Sequence, residues 1–177
     1  DNDLDFGVNM SVGTWVKLDS VGVSDMIVGK GSSYYLTVGS TTLGCDAEKF
    51  GFTSWAGSSW DCASSQTAPN TGEWYHVIGT SDGTDIRIYI NGQLEATTTK
   101  GNPPASATFL VLGGNPTSSW SLPGVVDETF VTAELLTAAQ ISQIYESGRR
   151  ALIANGTNTL SGSSNTVQAV GAVALSY

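Results

Sequence analysis

Between Gly72 and Thr99 the chain alternates apolar and polar positions. Ile86, Ile88 and Ile90 interleave with Asp85, Arg87 and Tyr89, the period-2 pattern of a strand with one face on a core and the other in water. Asn91-Gly92 follows at once and tolerates the positive φ angles of a type I′ turn, so Leu94–Thr99 is expected to return as the partner strand. Ser81-Asp82-Gly83-Thr84 is a second turn signal, which makes Trp74–Thr80 the preceding strand of an antiparallel meander.

The same reading extends along the chain. Ser11–Leu18, Met26–Gly29, Tyr34–Val38, Lys49–Trp55, Thr108–Gly113 and Val125–Thr132 are predicted strands, with Thr108–Gly113 buried. Ala56–Thr71 and Asn115–Pro123 are read as two long loops. Val125, Asp127, Thr129 and Val131 are placed on one strand face, where a carboxylate among valines needs a partner. One helix is predicted, over 137–148. Thr137 and Gln140 form a capping box, Ile141, Ile144 and Tyr145 an apolar stripe, and Gly148 stands where a C-terminal cap belongs. This helix is expected across one sheet edge. Residues 1–150 are read as one domain and 151–177 as a tail. Within the tail, Thr166–Tyr177 alternates weakly and is read as a closing strand, an assembly segment reaching a neighbouring subunit, or a linker.

Composition narrows the class. A chain of 177 residues fits one domain with a real core. Its 21 glycines and 13% charged residues suit many short strands joined by tight turns rather than a helical bundle. Sixteen carboxylates against seven scattered Lys and Arg give a net charge of −9, without a basic cluster to neutralise phosphates, so no nucleic-acid partner is expected. No apolar run approaches the ~20 residues of a membrane span, so no membrane insertion is expected either. A chain opening on Asp1 is expected to have been processed or excised from something longer. Cys45 and Cys62 are one disulfide in an extracellular chain or two thiols in a cytosolic one. The scarcity of Lys and a Ser/Thr/Gly-rich surface favour the secreted or surface-exposed reading.

The residues then resemble a family. GEWYHVIGTSDGTDIRIYINGQL, LVLGGN and GVVDETFVTAELLTAAQISQIYESG are similar, in order and spacing, to the LamG-like (laminin G, pentraxin-related) concanavalin A-like jelly rolls. The matching parts are Trp74–Val77, Thr80–Gly83, Ile88–Gln93, Leu110–Gly114, Val125–Glu128 and Leu136–Ile144, and SVGTWVKL matches an early strand of that family. The resemblance implies an all-β, two-sheet antiparallel sandwich whose rim loops bind glycans, proteins or Ca²⁺. Fold alone does not choose among these. The related glycoside hydrolases need two carboxylates across a sugar bond, and no acidic run of that kind exists here, so no catalysis is expected.

Two candidate sites follow. Trp55, Trp60 and Trp120 lie in or beside the long loops, with Asp61, Gln66 and Asn115 as hydrogen-bonding neighbours. Together they suit a sugar-stacking site, or else the tryptophans cap the sandwich ends. Trp15 and Trp74 are read as core, and His76, the one histidine, as non-catalytic. For metal, Asp3, Asp5 and Asp127 offer hard oxygen ligands for a structural Ca²⁺, or Asp127 simply accepts hydrogen bonds from backbone or His76. The functional expectation is a non-catalytic extracellular carbohydrate-binding or adhesion module with a glycan or surface protein as partner. The alternative is a structural surface domain of a virion, filament or large adhesin that self-assembles through 151–177.

Overall fold

The computed structural model describes residues 4, 8–22, 25–55, 57–99, 104–114 and 120–155, the last five as helix backbone. Among the described residues ten strands form two antiparallel five-stranded sheets. The first contains β1 (Met10–Leu18), β6 (Trp74–Ser81), β7 (Asp85–Ile90), β8 (Gln93–Thr99) and β10 (Gly124–Thr132), in the order β10-β1-β6-β7-β8. The second contains β2 (Asp25–Lys30), β3 (Tyr34–Val38), β4 (Phe50–Trp55), β5 (Trp60–Ser64) and β9 (Leu110–Leu112), in the order β5-β4-β3-β2-β9. α1 (Ala138–Asn155) follows the last strand.

Alternation puts one face of each sheet inward. Met10, Val12, Val16, Leu18, Tyr75, Val77, Ile86, Ile88 and Ile90 from the first sheet meet Ile27, Val28, Leu36, Val38, Phe50, Phe52 and Ala63 from the second in a single buried cluster. This is the jelly-roll sandwich expected, with the interdigitated core of face-to-face sheets. The Phe52 ring lies where a side chain on Gly79 would be, so the sheets approach closely at that point. At one side the edge strands meet: the Glu95 carboxylate of β8 accepts the Gln66 and Thr67 N–H groups and the Thr67 hydroxyl, and Thr98 donates to the Cys62 carbonyl.

The central meander forms as read. Asn91 and Gly92 take φ of 50° and 80°, and the Asn91 side chain accepts the His76 N–H. The polar face of that meander is not all in water, however. Tyr89 is buried with Ile78 and Ile141, because α1 lies across the outer face of the first sheet rather than along an edge. The capping box forms, with Thr137 N–H on Gln140 Oε1 at 2.9 Å and Gln140 N–H on Thr137 Oγ1 at 3.3 Å. Gly148 does not end the helix. A Cβ there would press on Trp15 Nε1, so this glycine lets the helix sit close to the sheet, and α1 runs on to Asn155 through the 150/151 position.

Three further expectations change. Trp60–Ser64, read as loop, is β5, paired with β4 and joined to the segment before it by the Cys45–Cys62 disulfide. Among the described residues β9 is an edge strand paired with β2 alone, and Phe109 and Leu112 are exposed rather than buried. In β10 the pairing with β1 slips between Gly13 and Trp15, opposite Glu128, whose φ is 48°. That irregularity switches the parity of the strand: Val126 and Val131, five apart, both pack on the core, while Val125, Asp127 and Glu128 are exposed. Asp127 thereby avoids the apolar face on which simple alternation places it. The tail from 156 onward, including Thr166–Tyr177, lies outside the described residues. Among the described residues no helix is long and apolar enough to cross a membrane.

Candidate functional site

Helix α1 covers the outer face of the first sheet, and among the described residues no α-helix covers that of the second, where a single 3-10 turn, Thr41–Leu43, sets Leu43 against it. The outward positions of the second sheet carry aromatic rings in a row. Trp55 ends β4 and Trp60 begins β5, and the two are direct cross-strand partners with ring centroids 5.3 Å apart. Trp60 lies 5.2 Å from Tyr35 of β3, and Tyr35 lies 6.3 Å from Trp120, edge to face at 86°. Trp120 arrives by a hairpin beyond β9, closed by the Leu122 N–H on the Gly113 carbonyl at 2.9 Å. Met26, Leu43 and Val111 fill the ground between. Tyr35 is buried as a floor and the three tryptophans are partly exposed around it.

Two glycines make room for this row. A Cβ on Gly29 would overlap the Tyr35 ring and approach the Met26 sulfur at 2.8 Å, so the phenol lies flat across β2 only because Gly29 has no side chain. A Cβ on Gly51 would overlap both sulfurs, so the disulfide crosses β4 at that point and fixes β5, which carries Trp60. Burial pushes the Tyr35 phenol pKa up, which favours the neutral ring, and a hydrogen bond from the Ser32 backbone opposes it.

The expected site residues separate into groups. Trp55, Trp60 and Trp120 come together, on the outer face of a sheet rather than over the sandwich ends. Asp61 follows Trp60 on β5 and so points to the opposite side of that strand. Gln66 lies beyond the far end of β5, where its side-chain amide donates to the Glu95 carbonyl at 3.2 Å. Asn115 lies outside the described residues. Tyr35 is the residue the sequence reading missed. Its signal was the Tyr34-Tyr35 pair, one ring directed inward and one outward by alternation.

The other aromatic residues are elsewhere. Trp15, His76 and Tyr145 stack beneath α1, with Trp15 4.9 Å from His76 and 5.6 Å from Tyr145. Burial lowers the His76 pKa to about 4 and its Nδ1 has no partner, so it is a neutral packing element. Trp74 is not core: it is partly exposed, with the Lys17 ammonium 5.3 Å from the ring centroid. Asp3 and Asp5 lie outside the described residues, and the Asp127 carboxylate accepts the Glu128 N–H at 2.8 Å. Among the described residues no three His, Cys, Asp or Glu side chains converge as metal ligands. A shallow groove of about 530 Å³ runs between β10 and α1, lined by Glu128, Leu136, Gln140, Gln143, Ile144 and Ser147, without an aromatic ring.

Comparison with known proteins decides the family. The Laminin_G_3 model, described as the concanavalin A-like lectin/glucanases superfamily, matches residues 1–142. The chain belongs to this family. A search of curated protein sequences finds no match. Among solved structures it is similar to a Bacteroides ovatus protein named as a candidate carbohydrate-binding protein, at 21% identity and a TM-score of 0.63 over 77% of this chain and 40% of that one. It is also similar to domain 4 of AbnA, an extracellular arabinanase from Geobacillus stearothermophilus, solved with arabinotriose, at 19% identity and a TM-score of 0.64 over 78% of this chain and 66% of that one. A third is the heptameric SAP-like pentraxin of Limulus polyphemus, at 20% identity and a TM-score of 0.59 over 78% of this chain and 70% of that one. The chain thus spans 40% and 66% of the first two, and these likenesses establish the fold.

Proposed function

We propose that this Laminin_G_3 domain is a non-catalytic carbohydrate-binding module that holds a glycan on the outer face of its second sheet. The observation that carries this reading is the row Trp55, Trp60, Tyr35, Trp120, with three partly exposed indoles on a rigid, disulfide-tied sheet. Indole faces stack on the apolar C–H face of a sugar ring, and a row of them suits successive residues of an oligosaccharide. The names of the B. ovatus protein and of AbnA domain 4 with its arabinotriose are in keeping with such a role. The site works without catalysis: Asp127 and Glu128 belong to the other sheet, and His76 is buried beneath α1. The disulfide fits a secreted or surface location.

The test is a panel of immobilised oligosaccharides probed with the wild type and with Trp60→Ala and Trp74→Ala. Losing one stacking ring removes about 1–2 kcal/mol, or about 5- to 30-fold in affinity. Binding lost in Trp60→Ala and kept in Trp74→Ala is expected. Binding that survives Trp60→Ala overturns the site.

A further inference from the structure

We infer that the aromatic face selects uncharged oligosaccharides and rejects uronate, sulfated and sialylated ones. This inference rests on the carbohydrate-binding reading above and adds the ligand class. The described residues that build the face with β2, 31–45, 50–55, 57–60, 104–114 and 120–126, contain no Asp, Glu, Lys, Arg or His, and the Asp25 and Lys30 side chains of β2 are buried, in a chain of net charge −9. The side chains around the rings are Met26, Leu43, Val111, Thr37 and Thr53. The two threonine hydroxyls already donate to backbone carbonyls, Thr37 to Asp25 at 2.7 Å and Thr53 to Leu43 at 3.0 Å.

A protein that recognises a carboxylate or sulfate on a sugar presents an Arg fork, a Lys or a bound cation to it. The described cations are all elsewhere. Arg87 is held by Asp82 and Asp85 at 2.7 and 2.9 Å, on the first sheet. Arg149 pairs with Glu146 on α1, where Arg150 also lies. Lys17 sits over Trp74 on the first sheet, and Lys49 donates to the Gln66 carbonyl at the end of β4 remote from Trp55. Lys30 is fully buried. An anionic sugar on the aromatic row therefore gains no ion pair and meets the repulsion of the net negative charge, whereas a neutral sugar loses nothing.

The experiment compares, at one ionic strength, titrations with neutral oligosaccharides from arabinan, xylan, galactan, cellulose and laminarin against oligogalacturonate, alginate, chondroitin sulfate and sialyllactose. Trp60→Ala runs in parallel, and each binder is repeated at raised salt. The expected result is binding confined to neutral members, lost in Trp60→Ala and independent of salt. An anionic oligosaccharide that binds at least as tightly, is lost in Trp60→Ala and weakens with salt overturns this inference while leaving the proposed function standing. Absence of binding to both classes overturns the proposed function and this inference with it.

Discussion

The histidine beneath α1 gives a pH dependence that follows from the packing. His76 is 2% exposed, packed against both Trp15 and Tyr145, and burial holds its pKa at about 4 against 6.5 when unfolded. A depressed histidine pKa means that the unfolded chain binds the proton more readily. Above pH 6.5 both states are neutral and the group has no effect. As pH falls from 6.5 toward 4 the unfolded state gains the proton first, and stability declines. The gap of about 2.5 in pKa corresponds to about 3 kcal/mol once both states are protonated, of which about 2 kcal/mol is lost by pH 5. Carboxylates add their own pH dependence, which the comparison with the variant removes. Asp82, held at about 2 by the Asp85 backbone hydrogen bond and then by Arg87, loses its contribution between 3.8 and 2. Asp25, raised by burial, acts in the opposite sense to His76, gaining stability as pH falls. The assay is urea unfolding at pH 7, 6 and 5 for the wild type and His76→Phe, which keeps the ring stack and removes the titration. The variant is expected to flatten the profile by about 2 kcal/mol at pH 5. A wild-type loss below about 0.5 kcal/mol, or an equal loss in the variant, refutes the reasoning.

Three more expectations follow from the packing. Gly29→Ala puts a methyl into the Tyr35 ring, so it is expected to lower stability by about 1–3 kcal/mol in urea unfolding and to weaken glycan binding together with it. Breaking Cys45–Cys62, whose cysteines are 17 residues apart, by a double serine substitution is expected to remove about 3 kcal/mol, read as a drop in thermal midpoint that dithiothreitol reproduces in the wild type and not in the variant. Ile141→Ala empties the fully buried contact of α1 with Ile78 and Tyr89, with an expected loss of about 2–4 kcal/mol and faster hydrogen exchange in the helix amides.

Much of the fold was legible because period-2 alternation and turn chemistry act locally. Ile86, Ile88 and Ile90 with Asn91-Gly92 specify their hairpin without reference to the rest of the chain. What was not legible is set by neighbours. After Trp60, β5 carries weak strand residues, Asp61-Cys62-Ala63-Ser64, and is a strand because β4 and the disulfide hold it. The parity switch at Glu128 in β10 has no local signature, since nothing in Val-Asp-Glu-Thr marks a positive φ. Gly148 looks like a cap because glycine usually ends helices, and here it serves close packing on Trp15. The tryptophans of the candidate site were visible as residues out of place in loops, whereas their union over Tyr35 depends on sheet order, which brings β3, β4 and β5 side by side. Asp61 and Gln66 were grouped with them by nearness in sequence, and strand alternation and the Glu95 hydrogen bonds separate them.

The central claim is that a glycan sits on the second sheet's aromatic row. Five tryptophans give five indole N–H signals in a ¹H–¹⁵N spectrum, divided between the two faces. Titration with the neutral oligosaccharide that binds best in the panel is predicted to shift the signals of Trp55, Trp60 and Trp120 and to leave those of Trp15 and Trp74 in place. Shifts confined to Trp15 or Trp74, or binding with none of the three indoles perturbed, would contradict the account.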